Sequence, residues 1–494
     1  MTNKKQFVLF YFLTFLFIAF DTWFILRKQS GLVAAAPIVL MIVYFAIFSL
    51  DKLILFVVFC TPFSIDLGHI HDVFLEQVDV NAAFPSEPIM FGILLLFIFL
   101  LAYKGIDKHL VNHPVTLVII FTLFWMIATT ITSTMPVVSV KYCIERLWGI
   151  VTFYFLGVYL FNKRKNIYAF VWLYVISFTG IIIYTTARHA KFHFSEKGAH
   201  NVMNPFYNDH TAYGAMLAMF IPVLMGLAFN RSRPLYTRLI AFVFLLIFII
   251  AIGLSYSRAS WVSLIVALAV FLLMLFKIKL KTIFIALCIG AVALFSFQKK
   301  IVMKLEKNNK EVSQDISSEI QSISNISSDA SNRERLNRWS CAYRMFLDKP
   351  YFGFGPGTYM FKYGTYQIFS QRTIISTNLG RGGNAHSEYL GPLAEQGLLG
   401  MLCFVALAVA VFILSFRLYY RLKDREMKII IASLFLGLIT YFIHGMMNDF
   451  LDSDKAAVPF WGFIAILVAI DMESKGVKIW KGASATSVSG SLAE

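Results

Sequence analysis

The sequence predicts an all-α polytopic membrane protein. Of its 494 residues, 58% are hydrophobic and only 15% are charged, whereas ordinary globular chains carry about 25% charged residues. The mean hydropathy is +0.70. Apolar runs long enough to cross a bilayer, about 17–25 residues each, recur along most of the chain. Together these observations favour a bundle of about 12–14 transmembrane helices with one long outer loop.

Fourteen apolar runs, separated by polar breaks, are the predicted spans. The first continues to about Leu26 with no small-residue cleavage site after it, so we interpret it as an uncleaved span. The third is short for a crossing. The runs are 7–26, 32–50, 52–65, 88–103, 114–132, 138–161, 167–186, 211–229, 237–255, 259–276, 281–298, 396–416, 427–447 and 456–472.

Every second loop is short and nearly all of these loops are basic, which predicts their orientation. Lysine and arginine accumulate in cytoplasmic loops, and the same bias accounts for the net charge of +16. We therefore expect both termini in the cytoplasm. No nucleic-acid-binding motif accompanies the charge, so we predict no nucleic-acid partner. The basic loops lie at 51–52, 103–109, 162–166, 231–238, 277–281, 421–425 and 473–478.

The opposite side receives the polar stretches that could carry chemistry, namely 66–87, 187–210, 254–260 and 298–385. We divide the chain accordingly. Residues 1–298 are transmembrane helices, 299–386 form a large, partly helical periplasmic loop, 387–478 return to transmembrane helices, and 479–494 are a tail.

The long loop is unusually basic for a translocated segment, with thirteen Lys and Arg against seven Asp and Glu between Lys299 and His386. Its arginines cluster around Trp339 at positions 333, 335, 338 and 344. We expect an amphipathic helix near the membrane surface that buries Leu336, Ala342, Tyr343 and Phe346. The arginines are then either solvated, snorkelling charges or bidentate ligands of a phosphate.

Two further features point to the same side. Arg258 stands almost alone between two apolar spans, in SYSRASW, and a lone arginine at the end of a span is costly unless it has a partner. GFGPG at 353–357 either turns the chain or offers backbone amides to an anion. Asp209, His210 and the acids at 449–454 are additional candidates for the outer cavity.

His386 opens the stretch HSEYLGPLAEQGLLG. Wound as a helix, it shares a face with Gly397 and Gly400, whereas Glu388 and Glu395 fall near the opposite side. A neutral imidazole with a pKa near about 6.5 is a natural general base. We therefore expect a catalytic role for His386 and a structural role for the two glutamates.

The pattern around His386 resembles a known family. HSEYLGPLAEQGLLG fits H-[NSQ]-x9-G-x-x-G, with His386, Ser387, Gly397 and Gly400 in register. Arg335 to Trp339 matches R-x3-W, and DKPYFGFGPGTYMF follows it. SRAS, NDHTAYGAMLAMFIP and HGMMNDFLDSD are similar to further family segments. Over roughly residues 205–470 the chain thus resembles the bacterial O-antigen ligase family, part of a superfamily that includes O-antigen polymerases.

The resemblance implies a GT-C-like membrane glycosyltransferase with about twelve spans in the bacterial inner membrane and a periplasmic active site. Its partners would be an undecaprenyl-diphosphate-linked glycan donor, a lipid A–core or other hydroxyl acceptor, and the bilayer. The family includes ligases, exopolysaccharide polymerases and protein O-oligosaccharyltransferases, and the sequence does not decide among them. Direct attack of the acceptor on the anomeric carbon implies inversion, and because arginines carry the positive charge we predict no metal and no cofactor.

The matching positions assign the expected roles. His386 is the general base, and Arg258 and Arg335 stabilise the leaving diphosphate. Gly397 and Gly400 are structural. Further substrate-binding residues are expected at Arg333, Arg338, Asn384 and Tyr389.

Two other classes of protein remain as alternatives. A transporter of the lipid-linked glycan would carry charges midway through its spans, whereas the titratable groups gather at the outer ends. A structural or partner-binding membrane protein gives no reason for the register of His386 with its glycines.

Overall fold

Helices dominate the part of the chain that the structure describes, which confirms the predicted all-α class. The computed structural model describes residues 36–66, 83–278, 330–369 and 382–477, together with the short pieces 12, 15–24, 26–27, 281–282 and 376. Within these residues the β structure consists of two strands of two residues, β1 (Ile65–Asp66) and β2 (Ala83–Phe84), paired antiparallel.

The helices follow the predicted apolar runs. Those before the long loop are α1 (Phe15–Phe24), α2 (Ala36–Phe48), α3 (Leu50–Cys60), α4 (Ser86–Lys104), α5 (Lys108–Val111), α6 (Pro114–Ile131), α7 (Pro136–Leu160), α8 (Arg164–Ala190), α9 (Glu196–Ala199), α10 (His210–Phe229), α11 (Leu235–Leu254) and α12 (Arg258–Leu275). Those after it are α13 (Ala330–Asp348), α14 (Tyr359–Lys362), α15 (Leu390–Arg421), α16 (Arg425–His444) and α17 (Asp454–Ser474). Short 3-10 helices cover Thr61–Phe63 and Tyr363–Tyr366, and α7 contains a π-helical turn over Val151–Phe155.

Ten of the described helices are long and apolar enough to cross a membrane, namely α4, α6, α7, α8, α10, α11, α12, α15, α16 and α17. They correspond to ten of the fourteen predicted spans. The predicted span 52–65 is wrong in length, because its helix ends at Cys60 after 11 residues, about half of what a crossing requires. The span 32–50 is likewise a shorter helix of 13 residues. The span 281–298 and most of 7–26 lie outside the described residues.

The bundle is arranged around α10, α16 and α17. In α17, 89% of the most apolar 18-residue stretch is buried inside the protein, whereas the corresponding share is 28% in α6, α11, α12 and α15. Lipid-facing helices are apolar as well, and α17 is less hydrophobic than the exposed α11 and α15, so its burial and not its hydropathy marks it as the central helix. The outer helices expose phenylalanine, leucine and isoleucine side chains, as lipid-facing helices do.

Ion pairs gather several predicted basic loops at one end of the bundle, which we call the basic end. Its central residue is Asp471, whose carboxylate lies 3.2 Å from His113, 2.6 Å from Arg421 and 2.6 Å from Lys475. Nearby, Arg164 pairs with Asp424 at 3.2 Å. The loops before α6, α8 and α16 and the end of α17 therefore meet.

The polar stretches gather at the other end, which we call the site end. Glu388 donates its backbone N–H to Gly445 at 2.8 Å, joining the start of α15 to the loop after α16. The external helix α13 packs on this end through Cys341, Ala342 and Met345, all fully buried. Ala342 thus faces the protein, whereas Leu336 and Tyr343, predicted to share its buried face, are exposed.

Candidate active site

Arg258 is the first residue of α12 and follows a tight turn after α11. Tyr256 in this turn has a left-handed backbone, with φ of 50°, and its hydroxyl donates to the Phe194 carbonyl at 2.9 Å. The Arg258 guanidinium lies 3.6 Å from the Glu196 carboxylate, at the start of α9. The 191–209 segment therefore lies beside Arg258 and holds a carboxylate near it.

Arg335 and Arg338 are one turn apart on α13, but Arg338 is held by the protein itself. Its Nε donates to Glu334 Oε1 at 2.9 Å, and its Nη1 donates to the Asn384 carbonyl at 3.1 Å. The guanidinium carbon also lies 4.9 Å from the Tyr363 ring centroid. A buried guanidinium with these contacts favours a role in holding the 382–389 segment over one in direct phosphate binding.

His386 lies in an irregular segment before α15 and is not part of that helix. Its φ is 49°, and its carbonyl accepts a hydrogen bond from the Trp339 indole N–H at 3.3 Å. Burial, followed by the positive charges of Arg338 and Arg335, lowers the pKa of His386 to about 4. The imidazole is therefore neutral at pH 7 and able to accept a proton.

The predicted residues share one electrostatic neighbourhood. Arg335 acts electrostatically on His386, on His210 and on His444. Arg258 acts on His210 as well. The starts of α10 and α12, the end of α16 and the external helix α13 therefore bring the three predicted catalytic side chains, Arg258, Arg335 and His386, to the same end of the bundle.

Two further histidines, His210 and His444, lie in this neighbourhood, and each had only a weak signal in the sequence. His210 was a candidate without an assigned role, and its Nδ1 lies 3.1 Å from Nδ1 of His200. His444 is buried, with Nε2 3.1 Å from the Asn448 amide nitrogen. Each histidine opens or closes a long apolar run within a family-like segment, which is the signal that could have selected it.

The glycine pattern after His386 bends a helix. Gly397 has φ of 70° and interrupts α15, so the projection that placed His386, Gly397 and Gly400 on one helical face is wrong. A Cβ on Gly397 would lie 2.2 Å from the Tyr351 carbonyl oxygen. Only glycine combines this backbone with so close an approach.

The GFGPG stretch passes against the bend in α15. Its amides are used within the protein: Phe354 N–H donates to the Ala394 carbonyl at 3.2 Å, and Gly355 N–H donates to the Glu395 carbonyl at 2.8 Å. The Glu395 carboxylate accepts from the Tyr359 N–H at 2.9 Å. Of the two interpretations of GFGPG, these bonds favour the chain turn over an anion-binding loop.

Glu388 ties the His386 segment to the loop after α16. Its Oε1 accepts from the Tyr441 hydroxyl at 2.6 Å and from the Phe450 and Leu451 N–H groups at 2.9 Å each. Burial raises the pKa of Glu388 above its ordinary value. These contacts agree with the structural role expected for this glutamate.

A half-buried arginine, which the sequence did not single out, also contacts this glutamate. Arg146, in α7, lies 3.0 Å from the Asp452 carboxylate and 3.7 Å from that of Glu388. A charged residue inside a predicted span was the signal that could have drawn attention to it.

The remaining predicted residues occupy different surroundings. Arg333 is exposed on α13. Asn384 is exposed and accepts the His386 N–H at 3.3 Å through Oδ1. The Tyr389 hydroxyl donates to the Phe442 carbonyl at 3.0 Å, and burial raises the pKa of Tyr389 to about 12. Tyr389 is thus bonded within the bundle, whereas Arg333 and Asn384 remain accessible.

Asp452 and Asp454 have the Asp-x-Asp spacing common in metal-dependent glycosyl transfer, but both are engaged by side chains of this protein. Asp452 pairs with Arg146, as described above. Asp454 accepts from the Ser64 hydroxyl at 2.6 Å and from that of Ser86. Among the residues the structure describes, no group of three His, Cys, Asp or Glu side chains is placed to hold a metal ion.

Comparison with known families identifies the domain that contains these residues. Residues 241–405 match a family model described as O-Antigen ligase. The match covers about one third of the chain and supports its assignment to the O-antigen ligase family. No curated protein is significantly similar to the chain. The matched range of this O-antigen ligase domain contains Arg258, Arg335, His386 and both motif glycines, whereas His210 and His444 lie outside it.

The family and the fold together define a coarse function. The protein is a multi-pass membrane protein of the O-antigen ligase or polymerase type, and its partners are a lipid-linked glycan and the bilayer.

Proposed function

We propose that this protein transfers a glycan from undecaprenyl diphosphate to an acceptor hydroxyl at the outer face of the bacterial inner membrane, as an O-antigen ligase-like enzyme. The acceptor would be lipid A–core or another hydroxyl of a surface glycan. The observation that carries the proposal is the position of neutral His386 in the electrostatic range of Arg335, at one end of the bundle and inside the matched domain.

The reaction is a direct displacement. The acceptor oxygen attacks the anomeric carbon and forms the new glycosidic bond, while the bond between that carbon and the diphosphate oxygen breaks. The diphosphate leaves with the electron pair, and the acceptor proton passes to His386. A single displacement inverts the anomeric configuration, and it needs no metal where arginines stabilise the leaving charge.

His386 is suited to take the proton only once the donor is bound. In the free protein its pKa is about 4, because it is buried and because Arg338 and Arg335 are close. A bound diphosphate adds negative charge beside these arginines, and opposite charge raises the pKa of an imidazole. Donor binding therefore makes His386 a stronger base at the moment it is needed.

Arg258 and Arg335 would bind the two phosphates of the leaving group. Fixed cations aimed at developing charge typically contribute about 10²–10³-fold to kcat each. The guanidinium fork also matches phosphate geometry better than a lysine would.

The orientation of the bundle in the membrane would decide on which side the reaction occurs. The basic end would face the cytoplasm, since lysine and arginine accumulate there, and the site end would face the periplasm. Both termini are then cytoplasmic, and the donor would reach the arginines from the outer leaflet.

Transfer assays with single variants test the proposal. His386→Ala and Arg258→Ala, each purified and shown to be folded, should lose transfer from undecaprenyl-diphosphate glycan by at least about 10²-fold. Arg231→Ala, an exposed arginine of the loop after α10, is the matched control and should retain wild-type rates. Normal transfer by both folded site variants would overturn the mechanism.

A deletion strain separates ligase from polymerase. Full-length polymer left on its lipid carrier would support the ligase, whereas accumulation of single repeats would assign the protein to the polymerases. Intact surface glycan with loss of glycosylated protein would instead indicate a protein O-oligosaccharyltransferase.

A further inference from the structure

α13 presents three different faces. Cys341, Ala342 and Met345 are fully buried against the bundle. Arg335 and Trp339 lie on a second face, toward His386. Leu336, Tyr343 and Leu347 form a third, which we call the α13 stripe; at 100° per residue they lie within about 40° of one line. Their side chains are 42%, 55% and 59% exposed.

This stripe is unusual because α13 is mostly polar. Three large apolar side chains on one line, with charged residues beside them, are typical of a helix that lies in the interface of a membrane. Scattered apolar residues on a surface need no explanation, but aligned ones mark a contact with a partner or with lipid.

Apolar side chains are also exposed after α13 and on the spanning helix α6. Beyond α13, Tyr351 is 78% exposed, and the ring of Phe352 stacks on Trp125 of α6 with centroids 5.4 Å apart. Phe124 and Ile131 of the same helix face outward. Exposed apolar side chains are thus found on α6, which crosses the membrane, on the turn that stacks against it, and on the exposed side of α13.

The charges beside the stripe suit lipid headgroups. Arg333 is exposed and lies about 60° from Leu336 around the helix, on the flank of the stripe. Arginine side chains on the flank of an inserted helix extend toward phosphates while the apolar residues enter the acyl region.

We propose that the α13 stripe is embedded in the outer leaflet of the membrane, so that α13 lies along the lipid surface beside the site end. Lipid is the occupant that the exposed apolar side chains of α6 and the flanking charge favour, over a second copy of the chain or another protein. One consequence rests on the proposed function: Arg335, next to Leu336 on α13, is held at the depth of the lipid phosphates, where a lipid diphosphate lies.

Spin labels in lipid nanodiscs test the contact directly. Tyr343→Cys and Leu347→Cys are labelled, with Thr365→Cys, an exposed polar position of the same external segment, as the matched control. The parent protein gives the background, because three of its four described cysteines are buried. We expect the stripe labels to collide with oxygen more than with a water-soluble nickel chelate, and the control label to show the reverse.

Two outcomes would overturn the lipid contact. Stripe labels as accessible to the nickel chelate as the control would place the stripe in water, and labels reached by neither agent would place it under protein. The readout needs no transfer activity, so it stands even where the proposed function fails.

A kinetic measurement tests the consequence for Arg335. Leu347→Lys should move α13 out of the acyl region and raise the KM for the lipid-linked donor several-fold with little change in kcat, whereas Leu347→Met should behave as wild type. Equal KM values for folded Leu347→Lys and wild type would overturn the depth argument.

Discussion

The two ends of the bundle use the same residue types in opposite ways. At the basic end, Arg421, Lys475 and His113 surround one carboxylate, that of Asp471, within 3.2 Å. At the site end, Arg258, Arg335 and Arg338 gather around histidines, with Glu334 2.9 Å from Arg338 and Glu196 3.6 Å from Arg258.

The difference shows how charge serves stability at one end and binding at the other. A carboxylate shared by several cations fixes the helices that carry them, and its net field is small. At the site end, Arg338 and Arg335 help to lower the pKa of buried His386, so their positive field reaches the imidazole, where an anionic ligand would neutralise it. The groups that an arginine faces therefore indicate its role better than the number of arginines does.

The largest effect should come from making the same substitution at both ends. Arg335→Ala should lower kcat about 10²–10³-fold because the leaving charge loses a fixed cation, with little effect on unfolding. Arg421→Ala should keep kcat and lose about 1 kcal/mol of stability, since its pair with Asp471 is partly exposed. Transfer rates and thermal melts of both variants check this, and similar losses of kcat in both would break the comparison.

Removing the shared carboxylate should be the largest stability effect. Asp471→Ala leaves buried His113 and two cations without their common partner, which should cost about 3 kcal/mol. Asp424→Ala removes an exposed pair with Arg164 and the N-cap of α16, and should cost about 1–2 kcal/mol. Thermal unfolding in matched detergent measures both, and equal melting temperatures would contradict the central role of Asp471.

The pH dependence of transfer should report the field at the site end. The pKa of His386 is lowered to about 4, so kcat/KM should fall only below about pH 4, whereas an ordinary histidine base would lose activity below about pH 6.5. In Arg335→Ala the acidic limb of the kcat/KM profile should move to higher pH, because a positive charge near His386 has been removed. A limb that stays in place in the variant would remove Arg335 from the neighbourhood of the base.

Protonation of His386 also makes the stability of the fold depend on pH, in a direction that follows from its pKa. Because the folded pKa of His386 lies below its unfolded value, the unfolded chain binds the additional proton between about pH 4 and 6.5. Stability should therefore decline as the pH falls through this window, and a His386→Gln variant should show a smaller decline.

The smallest expected effect concerns Glu196, which lies 3.6 Å from Arg258. Glu196→Gln removes a carboxylate that competes with the diphosphate, and an exposed pair of this kind contributes about 0.2–1 kcal/mol. The donor KM should fall by about 1.5–5-fold. Glu473→Gln, which breaks a pair with Arg164 at the same 3.6 Å, is the control, and an equal KM change in both would disprove the competition.

The spans were predictable because hydropathy and length are local properties. Ten of the fourteen runs became helices long enough to cross the membrane, since lipid allows little else for an apolar segment of that length. The run at 52–65 was wrongly predicted to be a full span because apolar residues continue beyond Cys60, where the helix ends.

The arginines of α13 show where prediction from sequence ends. Arg335 and Arg338 are equivalent in the pattern, yet Arg338 is bonded to Glu334 and to the Asn384 carbonyl. Asn384 is 46 residues away in the chain, and a helical sequence pattern cannot predict a contact over that separation.

The sequence by itself determined the class of the protein, most of its spans, its basic loops and the histidine–glycine pattern, because each depends on residues close together in the chain. Tertiary structure decided what the pattern does. Gly397 bends α15 against the Tyr351 carbonyl, and Glu388 ties the His386 segment to the loop after α16. These contacts join segments that only packing brings together, and packing also decides which arginines are left facing the histidines.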